Sequence, residues 1–329
     1  MSFFGKMRPS VIVSKAINAL KEFRKPQQTE AKHEEILKII NKNFTRMTEI
    51  LYKKKEGDEA SARALQLVVD ITHTNFITLG LKCMINLPVE ERKQFTIIFT
   101  GSITHQTGSD YPLVVWIQRK PKTLKLLIDF YQHPELAICA GEMLRLCVRY
   151  EPLANHLLTD ECLNTLFSFF SVSHFDVSAD SFATFRELML KAPQAKEYLQ
   201  KNCQNIIDRL HKVLDETNYA TCRQCLKLIG ELVNEYDSFK NTYLSNDQNL
   251  IKIMKLMSST YQNISLEAFN VFKLFVLYDH KTEAIIRILR TNADKLIEYI
   301  HDLLQSNQDQ ELDKEKDHLI VQLQTIKMQ

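Results

Sequence analysis

A helical pattern that returns about every 43 residues in the second half of the chain sets the first limit on its fold. Val177 to Leu190 reads VSADSFATFRELML, and Ile264 to Leu277 reads ISLEAFNVFKLFVL. Laid together, Phe182 meets Phe269, Phe185 meets Phe272, Arg186 meets Lys273 and Asp180 meets Glu267. Midway lies TCRQCLKLIGELV, Thr221 to Val233, which places Arg223 in register with Asp180 and Glu267. ELAICAGEMLRLCVRYEP repeats the pattern more loosely, with Met143 and Leu146 standing where Phe182 and Phe185 stand. A unit of two or three helices cannot bury its own apolar face, so copies stack into a solenoid. A solenoid presents an extended surface, which makes partner binding the leading expectation.

A period of this length is that of armadillo and HEAT units, and the expected fold is an all-α, right-handed solenoid of about six repeats. Composition agrees. The chain has 7 Gly and 8 Pro in 329 residues, and no proline follows Pro193, so helices can run uninterrupted through the rest. An apolar fraction of 45% supplies a core along the whole length. With 42 basic against 40 acidic residues there is no global reason to propose nucleic acid as a partner. The 7 Cys are odd in number and scattered without a framework, as in a reducing compartment. The N-terminal apolar stretch is too short for a signal peptide and no run approaches a membrane span, so the expected location is cytoplasmic or nucleocytoplasmic.

Three segments are expected: a flexible leader over 1–9, a repeat domain over 10–305, and a polar linker with a short C-terminal helix over 306–329. Ile36, Leu37, Ile40, Phe44, Met47 and Leu51 form one apolar stripe, and Ala64, Leu65, Val68, Val69 and Thr72 another. Short loops at LPVEE, TGSDYP, RKPK and QHPE use proline or glycine where a helix must end. Asn218 and Asn263 precede repeat helices and are candidate caps. QSNQDQELDKEKD has no apolar period and reads as linker, while HLIVQLQTIKM either docks back or frays.

No arrangement of residues points to catalysis. Cys222 and Cys225 make a lone Cys-x-x-Cys without two further ligands, and both fall on the apolar stripe with Leu226, Ile229 and Leu232, so they read as core. His133, His156 and His174 lie near helix ends, where histidine is ordinary. There is no phosphate-binding glycine loop and no calcium loop, so neither cofactor nor metal is expected. YKKKEG is short and flanked by acidic residues, and reads as a solvated turn. Phe182, Phe185, Phe269 and Phe272 recur at i, i+3 and read as core. Arg223 and Lys227 project from the face opposite the cysteines. Two readings stay open for them: a clamp on one carboxylate, or solvated charge. Met254 in LIKIMKLM is either an adaptable apolar contact beside them or core.

PELAICAGEMLRLCVRYEPLA, FDVSADSFATF, NYATCRQCLKLIGEL and NISLEAFNVFKLFV resemble, in the same order, segments of the mouse protein 25 family, also called calcium-binding protein 39. The similarity runs more weakly from FFGK to NADKLIEYI, nearly the whole chain. The resemblance implies a non-catalytic scaffold that allosterically activates protein kinases. Its implied partners are a sterile-twenty-type pseudokinase, germinal-centre-type kinases and a liver-kinase-type serine/threonine kinase, with this chain a monomer inside the heteromeric complex. A pocket near the C-terminal end is implied to take a Trp-Glu-Phe-type tail through Arg223, Lys227 and Met254. A concave face is implied to hold the kinase domain, with Phe175, Tyr219, Tyr236 and Phe239 at family positions. Tyr236 stands where an Arg is typical and Thr291 where a Lys is typical, with Arg290 beside it as a substitute cation. The alternative is a solenoid adaptor for other protein or RNA cargo. A Cys- or His-based enzyme stands behind both.

Overall fold

The computed structural model describes residues 7–26, 29–52, 58–215, 218–303 and 310–328. Among these there are eighteen α-helices and no strand, as the repeat pattern requires. The chain divides into two compact units, Met1–Gln194 and Ala195–Gln329.

The first unit holds α1 (Pro9–Phe23), α2 (Glu30–Tyr52), α3 (Asp58–Thr72), α4 (Phe76–Cys83), α5 (Val89–Ile103), α6 (Pro112–Gln118), α7 (Lys122–Asp129), α8 (Ala137–Cys147), α9 (Glu151–Leu157), α10 (Asp160–Ser168) and α11 (Phe175–Lys191). Within it α2, α5, α8 and α11 pack side by side in that order, one per repeat, with the other helices laid against the row. Pro9, Pro112 and Pro152 open helices at the first or second position, where the missing N–H costs nothing. Phe44, Phe76 and Phe95 form one aromatic core, with centroids 5.8 to 6.1 Å apart. Phe182 and Phe185 are fully buried against Phe170 at 5.1 and 5.7 Å.

Two expectations change in this unit. The buried face of α3 is Ala64, Leu67, Val68 and Ile71, rotated from the predicted stripe. This helix meets α1, α2 and α6, so apolar residues surround it and periodicity alone does not select a face. Of the expected leader, Met7, Arg8 and Pro9 fall within the described residues, and Met7 is tied down. Arg63 Nη2 donates to its carbonyl at 2.7 Å, and Arg46 Nη1 lies 3.8 Å from its Sδ.

The second unit holds α12 (Ala195–Asp215), α13 (Tyr219–Glu235), α14 (Asp237–Leu244), α15 (Asp247–Met257), α16 (Gln262–Leu277), α17 (Glu283–Leu303) and α18 (Gln310–Met328). Here α13, α16 and α18 form the row, with α15 on α16 and α17 on α18. Phe269 and Phe272 are buried, as are Cys222 and Cys225 with Leu226, Ile229 and Leu232. Asn218 caps α13 by accepting from the backbone of Ala220 and Thr221 at 3.1 and 3.2 Å. Asn263 caps nothing. It sits inside the first turn of α16 and donates to Tyr219 Oη at 2.8 Å. Absence of proline does not keep α12 straight: Asn202 bends it with φ −122°, its side chain bonding the Tyr198 carbonyl at 2.9 Å.

The predicted linker also needs correction. Residues 304–309 lie outside the described residues, but Gln310 onward is the first half of α18. Glu and Lys are good helix formers and no Gly or Pro interrupts them, so a docked second half extends the helix backward. That half docks through buried Leu319, Ile320, Leu323 and Ile326. Arg290 Nε donates to the Ile326 carbonyl at 3.3 Å, and Lys327 pairs with Asp294 at 2.6 Å.

Candidate functional site

On α13, the i, i+4, i+8 spacing sets Tyr219, Arg223 and Lys227 in one line. Cys222, Cys225, Leu226 and Ile229 hold the opposite face in the core, so the line faces away from it. Across from it, α16 presents Asn263 and Glu267 one turn apart. Two rungs join the helices. At the first, Asn263 bonds Tyr219, whose ring packs 5.2 Å from the exposed ring of Tyr261. At the second, Glu267 Oε1 accepts from Arg223 Nε at 3.2 Å and lies 3.3 Å from Lys227 Nζ. The Arg223 and Lys227 side chains are 40% and 50% exposed, and that of Glu267 is 14% exposed.

The two cations therefore do clamp one carboxylate, and it belongs to the next repeat. The alignment of Glu267 with Asp180 in the repeat does not by itself reveal this contact. The signal was present in the opposite charge one repeat beyond Arg223.

A related rung in the first unit shows what a closed version looks like. Arg145 Nη1 donates to Asp180 Oδ2 at 3.0 Å, with side chains 24% and 14% exposed. Tyr131 Oη donates to the same oxygen at 2.8 Å, and Thr184 Oγ1 lies 2.7 Å from Tyr131 Oη. Burial, and then the charge of Asp180, push the Tyr131 hydroxyl well above its ordinary range, which keeps its proton in the network. In repeat register Gly141 stands where Arg223 stands, and Arg145 where Lys227 stands. The first unit thus sets one cation against one carboxylate, and the second sets two cations against one.

Met254 lies on α15, half-buried, on a helix that packs against α16. Phe175 opens α11 in the first unit and is 64% exposed. Tyr236 and Phe239 differ from expectation. Phe239 is fully buried, stacked on Tyr243 at 5.7 Å, and Tyr236 is also buried, so neither is a surface contact in this conformation. The reason is local. Tyr236 ends α13 and begins α14, and the tight turn directs both aromatic side chains inward. What the surface offers there is a groove of about 330 Å³ lined by Asn234, Asp237, Lys240, Leu274, Tyr278 and His280. Thr291 and Arg290 are both exposed on α17, and Arg290 is engaged with the end of α18.

The Mo25-like family model matches residues 2–327. The chain belongs to the Mo25-like family. The human protein named calcium-binding protein 39-like is 33% identical over 292 residues, covering 88% of this chain and 87% of that one. A Mo25-like protein of Schizosaccharomyces pombe is 35% identical over 237 residues, covering 71% and 72%. Among solved structures, an engineered protein is similar in fold alone, with TM-score 0.50, 13% identity and coverage of 96% of this chain and 78% of that one. As a Mo25-like protein the chain is of an adaptor or scaffold type, carried on stacked helical repeats. Among the described residues no group of three His, Cys, Asp or Glu could hold a metal ion, and no helix is long and apolar enough to cross a membrane.

Proposed function

We propose that this Mo25-like protein is a non-catalytic scaffold that binds protein kinases and raises their activity. In this reading Arg223, Lys227 and Met254 take the acidic, aromatic tail of a sterile-twenty-type pseudokinase. Exposed Phe175 of the first unit and half-buried Tyr219 of the second each contribute a contact to a kinase domain of the germinal-centre or liver-kinase type, in the cytoplasm. The observation that carries the reading is the pair of half-exposed cations on one line of α13, two positive charges set against a single internal carboxylate. Membership of the Mo25-like family supports it. Energetically, activation requires tighter binding to the active than to the inactive kinase conformation, because a ligand shifts an equilibrium only by its differential affinity.

The test is a reconstituted phosphorylation assay with a purified germinal-centre-type kinase. Adding the protein should raise the rate, saturating at equimolar complex. An unchanged rate, with no co-elution of kinase and protein, would remove the proposal.

A further inference from the structure

We propose that Glu267 is an internal stand-in for a partner's carboxylate, and that its charge sets the affinity and acid selectivity of the α13 face. The inference rests on the tail-binding reading above. Glu267 precedes the buried Ala268 on α16 and its side chain is largely shielded, while those of Arg223 and Lys227 are about half exposed. A carboxylate arriving from solvent meets the outer side of both cations with Glu267 already behind them. It encounters a rung of net charge +1, whereas without Glu267 the rung would be +2.

The Arg145–Asp180 rung makes the contrast. There Gly141 supplies no second cation, the charges cancel, and Tyr131 and Thr184 complete the polar partners. Nothing is left to attract an outside anion. At Glu267, by contrast, the two cations are pre-positioned by an acceptor they share with no hydroxyl among the described residues. Glu267 therefore acts in two ways. It holds the cations in place, which lowers the ordering cost of binding, and it partly neutralises them, which lowers the affinity. The second effect is the one that a change of charge at constant shape isolates.

The experiment titrates a synthetic peptide ending in Trp-Glu-Phe with a free carboxylate into wild type, Glu267→Gln and Glu267→Asp, each checked for an unchanged thermal midpoint. Gln keeps an oxygen that accepts from Arg223 and removes the charge. Asp keeps the charge and draws it back from the cations, which covers the case in which Gln does not fold. The acidic peptide should bind Glu267→Gln about fivefold to tenfold more tightly, with Glu267→Asp in between, as expected for partly exposed charges. A neutral control, ending in Trp-Gln-Phe amide, should bind all three within about twofold. Equal or weaker binding of the acidic peptide to Glu267→Gln overturns the role of Glu267 while leaving the tail pocket in place. An equal gain for the neutral peptide overturns it too. Binding by none of the three proteins overturns the tail pocket and this inference with it.

Discussion

A Cβ placed on Gly141 would stand 1.6 Å from Asp180 Oδ2. The carboxylate of α11 therefore occupies the space that any side chain on α8 would need, and glycine at 141 is what lets Arg145, Tyr131 and Thr184 close around it. Alanine is the better helix former by about 1 kcal/mol, but the methyl must displace a shielded, bonded carboxylate. Gly141→Ala should lower stability by about 1 to 3 kcal/mol, as overpacking does. The denaturant midpoint reads it, and an unchanged or raised midpoint contradicts this packing.

Phe239 and Phe175 should behave in opposite ways. Phe239 is fully buried, stacked on Tyr243. Truncating it to alanine should cost about 3 to 5 kcal/mol through cavity formation. Phe175 is exposed, and Phe175→Ala should change stability by no more than about 0.5 kcal/mol while weakening kinase stimulation. A loss of no more than about 0.5 kcal/mol for Phe239→Ala would restore a surface role to Phe239.

His211 supplies a pH dependence. Its Nε2 lies 3.2 Å from the Tyr243 hydroxyl inside the second unit, facing Lys252, Asp208 and Asp215. Burial first, and then the Lys252 charge, hold its pKa below the ordinary value of 6.5. The unfolded chain therefore binds the proton more readily, and unfolding is favoured as protons are added. The stability associated with neutral His211 is fully present above pH 6.5 and is lost as pH falls through the depressed folded value. His211→Gln should flatten this part of the curve relative to wild type in denaturation series from pH 7.5 downward. Superimposable pH profiles would contradict the assignment.

The buried thiols should be unreactive. Desolvation pushes Cys83 up to about 11 and raises Cys222 as well. Iodoacetamide at pH 8 should label both in the native protein at least about tenfold more slowly than in denaturant, since the thiolate is the reactive form. Rapid native labelling of Cys222 would revive the reading of a Cys-based enzyme.

The repeat made the row helices legible because its Phe and Cys positions are fixed by stacking, which depends on local spacing alone. Cys222, Cys225, Phe182, Phe185, Phe269 and Phe272 are all buried as their periodicity requires. What spacing could not show was direction where several helices converge, hence the rotated face of α3. Nor could it show inter-helix partners. Glu267 and Asn263 take their roles from residues one repeat away, and Asn263 bonds a tyrosine where its position suggested a cap. Family likeness placed Tyr236 and Phe239 on a surface, and the turn between α13 and α14 buries them both. In α18, a polar first half becomes helical because the apolar second half docks.

Direct titration of the Trp-Glu-Phe peptide into wild type, Arg223→Ala/Lys227→Ala and Met254→Ala bears most closely on the central claim. Each variant should stay folded, because the cations are half-exposed and their pairs with Glu267 contribute about 1 kcal/mol or less apiece. The account predicts loss of about 2 kcal/mol or more of binding free energy for each variant. Wild-type affinity retained by the doubly substituted protein would contradict it.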